Sequence, residues 1–593
     1  MKKTFLLSCL MLAAMPVMAA YTGHVYVDKN KNGVFDQSEK PLAGIKVSDG
    51  LNVVETAADG SFTLPGHERE RFIFITTPSG YKTFNRHYHK IEKKQSGYDF
   101  GLIPYSGRIR KDGSHRYIHI TDTEIFNTEN HADWGNNVRD YARNEQAAFI
   151  IHTGDLCYEK GLKAHIKLMN TENMDCPVFY CIGNHDLVKG KYGEELFESI
   201  YGPVYYSFDA GNVHYVVTPM PGGDHAPGYT SDDVCRWLKN DLAHIRPGTP
   251  VVVFNHDLLT YEDTFIFKSK NAGSINLNEY NLKAWVYGHW HINYMKKQGD
   301  VYSVCTSSLD KGGIDHSTTA FRVMHVDSKG DFTSELRYTY LDKNICIASP
   351  AGVMASGVLP VAVNVYSSVS PVREVLYTCL ADGKPVLKNK RLLQSTDWSW
   401  NGELPLSHKY VGKELTLRVT ARFNNGEIAE AESNFICRTE KAVPLFSADW
   451  DNLSGNAKHS APVSAPLNLP LQLAWTNNVG ANLYMTSPLI HKGKVIVASV
   501  DEDLKGAGHV YALNGKDGTI LWSCPVRNSI KNSIAVDSDI VFAQDAQGFL
   551  YAIDTETGKL CWEKQLPVNG LPALIDGLVA GEGVVYAGTG KGL

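Results

Sequence analysis

The spacing of hydrophobic and polar positions divides the chain into segments of different fold class. Residues 21–105 and 345–438 alternate apolar and polar positions between Gly, Asn and Pro turns, as strands with one solvated face do. Residues 106–344 instead contain short continuous apolar runs separated by helix-compatible stretches. Such runs are typical of strands that are covered on both faces. We therefore predict an α/β core that lies between two β-sandwiches.

The C-terminal residues 439–593 contain a Pro/Ser/Asn-rich linker followed by a sequence repeat. The segments GHVYALNGKDGTILW (508–522) and GFLYAIDTETGKLCW (548–562) superpose at an interval of 40 residues. A period near 40 with one Gly and one Trp per unit is typical of propeller blades. Two units are complete and GVVYAGTGKGL begins a third, so we expect partial β-propeller blades in a truncated sequence, with Trp as a packing residue.

The first 20 residues have the pattern of a cleaved signal peptide. Lys2 and Lys3 precede an apolar stretch, and the small residues Ala19 and Ala20 precede a polar chain. No later apolar run is long enough to cross a bilayer. We expect an exported protein that is periplasmic, cell-surface or secreted.

Composition restricts the classes of partner. A chain of 593 residues is too long for one core, and about four domains are expected. The net charge is −6 with acids and bases interspersed, so there is no basic patch for nucleic acid. Export permits disulfides, but we expect Cys157, Cys176 and Cys181, which flank motif strands, to be buried free thiols.

A calcium-loop pattern lies in the first predicted sandwich. The segment 28–39 matches D-x-[DN]-x-[DN]-G-x5-E at every specified position. The oxygen ligands would be Asp28, Asn30, Asn32, the carbonyl of Val34, Asp36 and Glu39. The flanks read as strands and not as the helices of an EF-hand, so an Asn/Gly-rich hairpin turn without an ion is the alternative. The segment resembles the calcium-binding B-type modules of bacterial surface adhesins.

Five motifs in the predicted α/β core carry metal-binding side chains. Each ends a hydrophobic run: RYIHITDTE, AAFIIHTGDL, PVFYCIGNHD, PVVVFNHD and KAWVYGHWH. Because ligands bind beyond the carboxyl ends of strands in open α/β sheets, we expect these side chains to converge. Carboxylate, amide and imidazole ligands in this order suit two divalent cations that hydrolyse phosphate esters.

The motifs predict a division of ligands between two ions. Asp155 is the candidate bridge, since a carboxylate can contact both ions. Asp122 and His291 would bind the first ion. The second would be held by Asn184, His256 and His289.

Two further residues of the third motif are predicted to be catalytic. His185 would protonate the leaving oxygen or stabilise the transition state, since its neighbour Asn184 is assigned as a ligand. Asp186 would accept from the other ring nitrogen and fix the tautomer of His185. The alternative for Asp186 is a helix cap.

The ordered set D…GD…GNHD…H…GHWH resembles the calcineurin-like metallophosphoesterases, over about 240 of the 593 residues. The flanking β modules are similar to those of exported bacterial members. The resemblance implies a four-layer metallophosphoesterase β-sandwich with flanking helices, and Mn, Fe, Zn or Mg ions. The C-terminal repeats resemble pyrroloquinoline-quinone-type propellers, but a closed propeller needs at least four blades, so we infer no quinone cofactor.

The first motif departs from the family. Its usual pattern is Asp-x-His, whereas this chain has Asp122, Thr123 and Glu124. A Glu124 carboxylate at the first ion would favour a harder cation, and a carboxylate that stands off would leave that ion weakly held.

Two functions of different classes follow from these features. The first is an exported metal-dependent phosphoesterase acting on phosphate mono- or diesters. The second is a cell-surface scaffold with a degenerate core, whose β modules and blades bind an envelope glycan or protein. Retention of His185 beside Asn184 and Asp186 favours the enzyme. Substrate selectivity is expected in loops such as 220–233 and 308–318.

Overall fold

A computed structural model describes residues 21–439 except 94 and 96, and residues 448–460, 473–483, 486–567, 572 and 577–588. The predicted signal peptide lies outside the described residues, as do most of the predicted linker and the last residues of the third repeat unit. Within the described part of the chain, none of the helices is both long and apolar enough to span a membrane.

The N-terminal segment folds as the predicted β-sandwich. Its strands are β1 (Tyr21–Val27), β2 (Lys40–Pro41), β3 (Lys46–Ser48), β4 (Val53–Glu55), β5 (Ser61–Leu64), β6 (Phe72–Ile75), β7 (Tyr81–Thr83), β8 (Tyr88–Lys90) and β9 (Phe100–Pro104). One sheet has the order β2-β1-β9-β7, with β5 also paired to β1, and the other has the order β4-β3-β6-β8. Val25, Val47 and Ile73 contribute to the core between them.

The central segment contains two mixed sheets and four α-helices. In chain order the elements are β10 (His115–Ile120), α1 (Ala132–Asn144), β11 (Phe149–His152), α2 (Tyr158–Leu168), β12 (Val178–Tyr180), α3 (Glu195–Tyr201), β13 (Tyr206–Ala210), β14 (Val213–Val217), α4 (Ser231–Ala243), β15 (Val251–Phe254), β16 (Ile266–Lys268), β17 (Ser274–Asn276), β18 (Leu282–Tyr287), β19 (Tyr294–Gln298), β20 (Val301–Cys305), β21 (Ala320–Val326) and β22 (Phe332–Tyr338). The first sheet has the order β12-β11-β10-β21-β22 and the second the order β13-β14-β15-β18-β20-β19.

These elements form four layers. The outer face of the first sheet packs against α1 and α2, as Ile118 does with Trp134 and Ala164 in one apolar cluster. Its inner face packs against the second sheet, whose other side is covered by α4 through Trp237. Because β11 is covered on both faces, all of its residues are buried. The predicted four-layer fold is therefore confirmed.

A second β-sandwich follows the core. Its strands are β23 (Asn344–Ser349), β24 (Gly352–Ala355), β25 (Gly357–Tyr366), β26 (Val372–Ala381), β27 (Lys384–Arg391), β28 (Leu393–Gln394), β29 (Ser399–Leu406), β30 (Glu414–Phe423) and β31 (Ile428–Arg438). They form sheets of order β23-β25-β29-β28 and β24-β31-β30-β26-β27.

The repeats form two four-stranded blades and part of a third. The first blade contains β32 (Leu489–His491), β33 (Lys494–Ala498), β34 (His509–Asn514) and β35 (Ile520–Pro525). The second contains β36 (Ala535–Asp537), β37 (Ile540–Gln544), β38 (Phe549–Asp554) and β39 (Leu560–Gln565), and a further hairpin is formed by β40 (Val579–Gly581) and β41 (Val584–Tyr586). Trp522 packs on Gly558 of the next blade and donates to the carbonyl of Thr555 at 3.0 Å. The Trp residue therefore joins neighbouring blades, as predicted.

Candidate metal centre

The five predicted motifs lie at one edge of the two stacked sheets. The strand and the first motif residue beyond it are β10 and Asp122, β11 and Asp155, β12 and Asn184, β15 and His256, and β18 and His289. The strands β10, β11 and β12 are parallel neighbours in one sheet, and β15 and β18 are parallel neighbours in the other. Their carboxyl ends therefore deliver all five motifs to a common crevice.

The backbone at several of the site residues is left-handed, although these residues are not glycines. The φ angles are 50° at Asp122, 58° at Asp155, 63° at His289 and 50° at His291. Such a conformation costs a non-glycine residue on the order of 1–3 kcal/mol and clusters at functional sites. A side chain at Gly183 would overlap the Asp155 carboxylate, so only glycine permits the close approach of these two loops.

One group of side chains lies around the buried imidazole of His256. Its Nε2 atom is 3.0 Å from Asp155 Oδ2, 3.1 Å from Asn184 Oδ1 and 3.2 Å from His289 Nδ1. The ligand atoms of Asp155, His256 and His289 all lie within 4.8 Å of one another. This group contains the ligands predicted for the second ion.

A second group lies around Asp122. His291 Nε2 is 3.2 Å from Asp122 Oδ1 and 3.5 Å from Glu124 Oε1. The same Asp122 oxygen is 3.9 Å from His256 Nε2, so the two groups adjoin. Glu124 is therefore on the side predicted for the first ion, where its role as a ligand stays a prediction.

The donor set fits divalent cations. Asp122 Oδ2 accepts from the Thr121 hydroxyl at 2.6 Å and from the His289 backbone N–H at 2.9 Å. Asp122 Oδ1 is buried and accepts no hydrogen bond of good geometry from the described residues, although His291 Nε2 lies 3.2 Å away. A buried carboxylate oxygen without a partner is costly unless a cation compensates it.

Neighbouring groups orient the ligands. Nδ1 of His256 lies 2.7 Å from the carbonyl oxygen of Thr153. The ring therefore donates from Nδ1 and leaves Nε2 as the coordinating atom. Nearby, His119 and His152 are buried and hydrogen-bonded to threonine hydroxyls.

Electrostatics couple His256 to Asp155. Burial disfavours the charged form of both groups, but their mutual attraction outweighs it. The pKa of His256 is raised to about 10 and the pKa of Asp155 is lowered to about 2. Metal binding must then displace a proton from His256, which makes metal affinity pH-dependent.

The structure corrects the predicted role of Asp186. Its carboxylate accepts backbone N–H groups of Asp155 at 2.9 Å, Cys157 at 3.0 Å and Gly183 at 2.9 Å. The prediction that Asp186 orients His185 is therefore wrong, because its side chain points beneath the Asp155 turn. Burial and the Asp155 charge raise the pKa of Asp186 to about 7. Asp186 supports the loop that carries the predicted bridging ligand.

Asp224 takes the place that was predicted for Asp186. Its Oδ2 atom lies 2.9 Å from Nδ1 of His185. Burial lowers the pKa of His185, but the hydrogen bond to Asp224 and the charge of Asp155 outweigh it, so the net direction is upward. Sequence analysis predicted that the loop 220–233 contributes to substrate selectivity, but no motif in that loop singled out Asp224.

Other residues at the site were also missed by sequence reasoning. Lys311 forms an ion pair with Glu124. On the opposite side, the ring of Tyr158 lies 5.4 Å from that of His185 and stacks on the exposed Phe126. No spacing or motif signals these contacts, because they join residues from separate loops.

The predicted calcium loop connects β1 to β2. Asp28 accepts the backbone N–H groups of Asn32 and Gly33 at 3.2 and 2.9 Å. Asp36 Oδ2 accepts from the amides of Asn30 and Asn32 at 2.7 and 3.0 Å. Glu39 accepts from the backbone N–H groups of Lys29 and Asp36 at 2.8 and 3.2 Å, while Val34 is exposed. The side chains therefore face one another, and calcium binding stays a prediction.

The described thiols of the core are free. Cys157, Cys176 and Cys181 are buried and unpaired, as expected. Burial raises the pKa of Cys176 to about 12. These thiols are therefore packing residues at neutral pH.

A layered α/β domain with carboxylates and imidazoles gathered at its strand ends has the ligands that a metal-dependent phosphoesterase requires. Residues 115–293 match the family model of the calcineurin-like phosphoesterase, and residues 29–104 match the model of the N terminal of calcineurin-like phosphoesterase. Residues 472–593 match a model described as outer membrane protein assembly factor BamB. The chain thus contains a calcineurin-like phosphoesterase domain followed by a repeat region of the pyrroloquinoline-quinone and BamB type.

Individual relatives are distant. Purple acid phosphatase 13 of Arabidopsis thaliana is 26% identical over 215 residues, which cover 34% of this chain and 36% of the plant protein. The match thus spans about a third of that relative's length. A predicted phosphoesterase from Streptococcus pneumoniae is 12% identical, with 38% of this chain and 94% of that chain covered and a TM-score of 0.20. BamB from Moraxella catarrhalis is 12% identical, with 46% and 74% covered and a TM-score of 0.16.

Proposed function

We propose that this protein is an exported phosphoesterase that hydrolyses phosphate mono- or diesters with two divalent cations. The observation that carries the proposal is the convergence of seven predicted residues on one crevice. They are Asp122, Glu124, Asp155, Asn184, His256, His289 and His291. Export is supported by the composition of residues 1–20 alone.

The donor set indicates how the ions would be held. Asp155, Asn184, His256 and His289 would hold one ion, and Asp122, Asp155 and His291 would hold the other, beside Glu124. When bound, such ions activate water and neutralise the phosphoryl oxygens. Mixed oxygen and nitrogen ligands suit Mn, Fe, Zn or Mg, and Glu124 adds a preference for the harder ions.

His185 would supply the proton for the leaving oxygen. Its backbone N–H donates to Asp155 Oδ1 at 3.0 Å, so the ring is tied to the metal-binding loop. Asp224 is hydrogen-bonded to Nδ1 of His185, so Nε2, on the other side of the ring, points away from the Asp224 carboxylate. The side chain of His185 is 34% exposed, and a substrate can therefore reach it.

The assay uses nitrophenyl phosphate and bis-nitrophenyl phosphate with metal-free protein that is reloaded with Mn, Zn, Mg, Fe or Ca. Turnover that returns with loaded metal, together with two bound ions per chain, supports the proposal. The matched variants are His185→Ala and His244→Ala, since His244 is an exposed histidine at the end of α4. Only the first should lose turnover.

The scaffold alternative gives a different result in the same assay. A degenerate core that serves binding of an envelope glycan or protein would show no turnover of either ester with any of the metals. His185→Ala and His244→Ala would then be indistinguishable. That outcome would overturn the phosphoesterase proposal.

A further inference from the structure

A buried lysine of the repeat region contacts the phosphoesterase domain directly beside the metal centre. Lys531 lies in the connection between the first and second blades, and its side chain is 1% exposed. Its ammonium group donates to the Asn293 carbonyl at 2.7 Å, to Asp315 Oδ2 at 2.7 Å and to Glu502 Oε1 at 2.6 Å. All three donors of the ammonium are used, as a buried lysine requires.

Two of these acceptors belong to the segments that flank the metal ligand His291. Asn293 lies two residues beyond His291, immediately before β19. The other segment reaches His291 directly, because the backbone N–H of Ile314, next to Asp315, donates to the His291 carbonyl at 2.9 Å. Lys531 therefore ties together the two pieces of chain that hold the backbone of His291.

That backbone needs external support. His291 has a φ of 50°, in the left-handed region, which persists in a non-glycine residue only when its surroundings impose it. On one side, Asp315 is fixed by Lys531 and by the Ser317 hydroxyl, which donates to its Oδ1 at 2.6 Å. On the other side, the Asn528 amide donates to the Met295 carbonyl at 3.0 Å.

A second buried cation stabilises the same contact, and it belongs to the phosphoesterase domain. Arg322, on β21 of the phosphoesterase domain, pairs with Asp503 of the repeat region and donates to the Glu502 carbonyl at 3.3 Å. Arg322 is fully buried. The repeat region thus contributes Lys531 to acceptors of the phosphoesterase domain, and the phosphoesterase domain contributes Arg322 to acceptors of the repeat region. The first blade is therefore held against the catalytic domain by buried ion pairs.

We propose that the repeat region completes the metal centre, and that Lys531 is a positioning residue for His291. The inference rests on the proposed function only in requiring that these side chains bind divalent cations. Among the described residues, the hydrogen bonds of Lys531 reach none of the segments that carry Asn184 or His256. His289, the remaining imidazole ligand of the other ion, precedes His291 in the same segment, but its backbone N–H is held by Asp122 Oδ2. Its removal should therefore weaken the ion on the Asp122 and His291 side and spare the other ion.

The test measures binding of Mn²⁺ alone to the full chain by titration calorimetry and metal analysis. Lys531→Met should weaken the ion on the His291 side about 10- to 100-fold, the usual effect of a residue that orients a ligand. The other ion should change less than about twofold, and Lys531→Arg should restore part of the loss. The matched control is Lys494→Met, which removes another blade lysine, paired with Glu556.

A double-variant cycle identifies the affected ion. Lys531→Met should add nothing to the loss caused by His291→Ala, but its effect should persist in full when combined with Asn184→Ala. Asp315→Asn removes the same contact from the catalytic side, and it decides the matter if Lys531→Met does not fold. Equal weakening of both ions, or unchanged binding in Lys531→Met, would overturn the proposal, and if Lys531→Met does not fold, unchanged binding in Asp315→Asn would do so. If the parent protein binds both ions but does not hydrolyse either ester, the proposed function is contradicted, and the metal-binding test of Lys531 is unaffected.

Discussion

Two cation sites are predicted in this chain, and they differ in how they are built. The loop from Asp28 to Glu39 collects its ligands within one connection between adjacent strands. The central site collects its ligands from five strand ends, from Asp122 to His291. The loop carboxylates accept hydrogen bonds from the loop itself, whereas a buried oxygen of Asp122 accepts no hydrogen bond of good geometry from the described residues and faces the imidazole of His291.

This difference indicates what an ion would do at each place. In the loop, an ion must replace existing hydrogen bonds such as Asn30 to Asp36, so the gain on binding is reduced. In the centre, an ion would compensate a buried carboxylate oxygen that lacks a well-directed hydrogen bond. We therefore expect tight binding linked to catalysis at the centre and weaker, structural binding in the loop.

The largest effect is expected from Asp155→Ala. Both ions would share this carboxylate, so its removal should release metal and reduce turnover to background. Metal analysis and ester hydrolysis test this, with the exposed Asp331→Ala as a control. Two bound ions and full activity in Asp155→Ala would refute the bridging assignment.

His185→Ala should separate proton transfer from metal binding. We expect a loss of about 10²–10⁴-fold in kcat, the usual contribution of a positioned acid, with both ions retained. Metal analysis of the purified variant is the decisive measurement. A parallel fall in metal content would make His185 a ligand.

Asp224→Asn should have a smaller effect on the same step. Asp224 contributes to the raised pKa of His185. An acid must be protonated to act, so activity falls as pH rises through that pKa, and the variant should lose activity at lower pH than the parent. We expect a loss of about 10-fold in kcat near neutral pH, since misplaced groups cost up to ~10²-fold. An unchanged alkaline limb of the kcat profile would show that Asp224 does not orient the acid.

Substitutions at Glu124 should change metal preference more than rate. Glu124→His should preserve activity and favour zinc over magnesium or manganese, since imidazole suits zinc better. Glu124→Ala should weaken the ion near His291 only. Metal titration of both variants beside the parent tests this, and unchanged stoichiometry, affinity and preference would place Glu124 outside the coordination sphere, as a partner of Lys311 alone.

The smallest effect is expected in the N-terminal loop. Calcium at 100 times its Kd would stabilise the folded state by about 2.7 kcal/mol. Calorimetric melting of the full chain should show a calcium-dependent rise in Tm that Asp28→Ala/Glu39→Ala abolishes and the exposed Asp59→Ala retains. The same rise in the double variant would favour the turn without an ion.

Much of the site could be predicted because its ligands follow recognisable strands. The run FIIH of β11 has four consecutive apolar or buried positions, and its Thr-Gly-Asp end places Asp155 at the sheet edge. The blades could also be predicted from the sequence, because each repeat unit contains a Gly and a Trp. In the structure, the Trp of one unit contacts the Gly of the next. Patterns of this kind involve residues close together in the chain, so they can be recognised from the sequence alone.

The partner of His185 illustrates the limit. Asp186 is adjacent in sequence, but its carboxylate turns toward the backbone of the Asp155 loop. Asp224 comes from a distant loop and reaches the ring. Side-chain direction in a turn depends on backbone dihedrals, and these are imposed by contacts between loops that no spacing records.

The sequence by itself determined the order of the strand-ending motifs along the chain, the residue types in those motifs, the repeat period and the short calcium-loop pattern. Each depends on residues close together in the chain, where hydrophobic period and turn chemistry act directly. Only the tertiary structure decided that Lys311 meets Glu124, that Asp224 holds His185 and that Lys531 is buried against Asn293. The first two pairings join separate loops of the core domain, and the third joins the core to the repeat region. Partners that are distant in sequence come together only when the chain is packed, and a buried charge such as Lys531 depends on them.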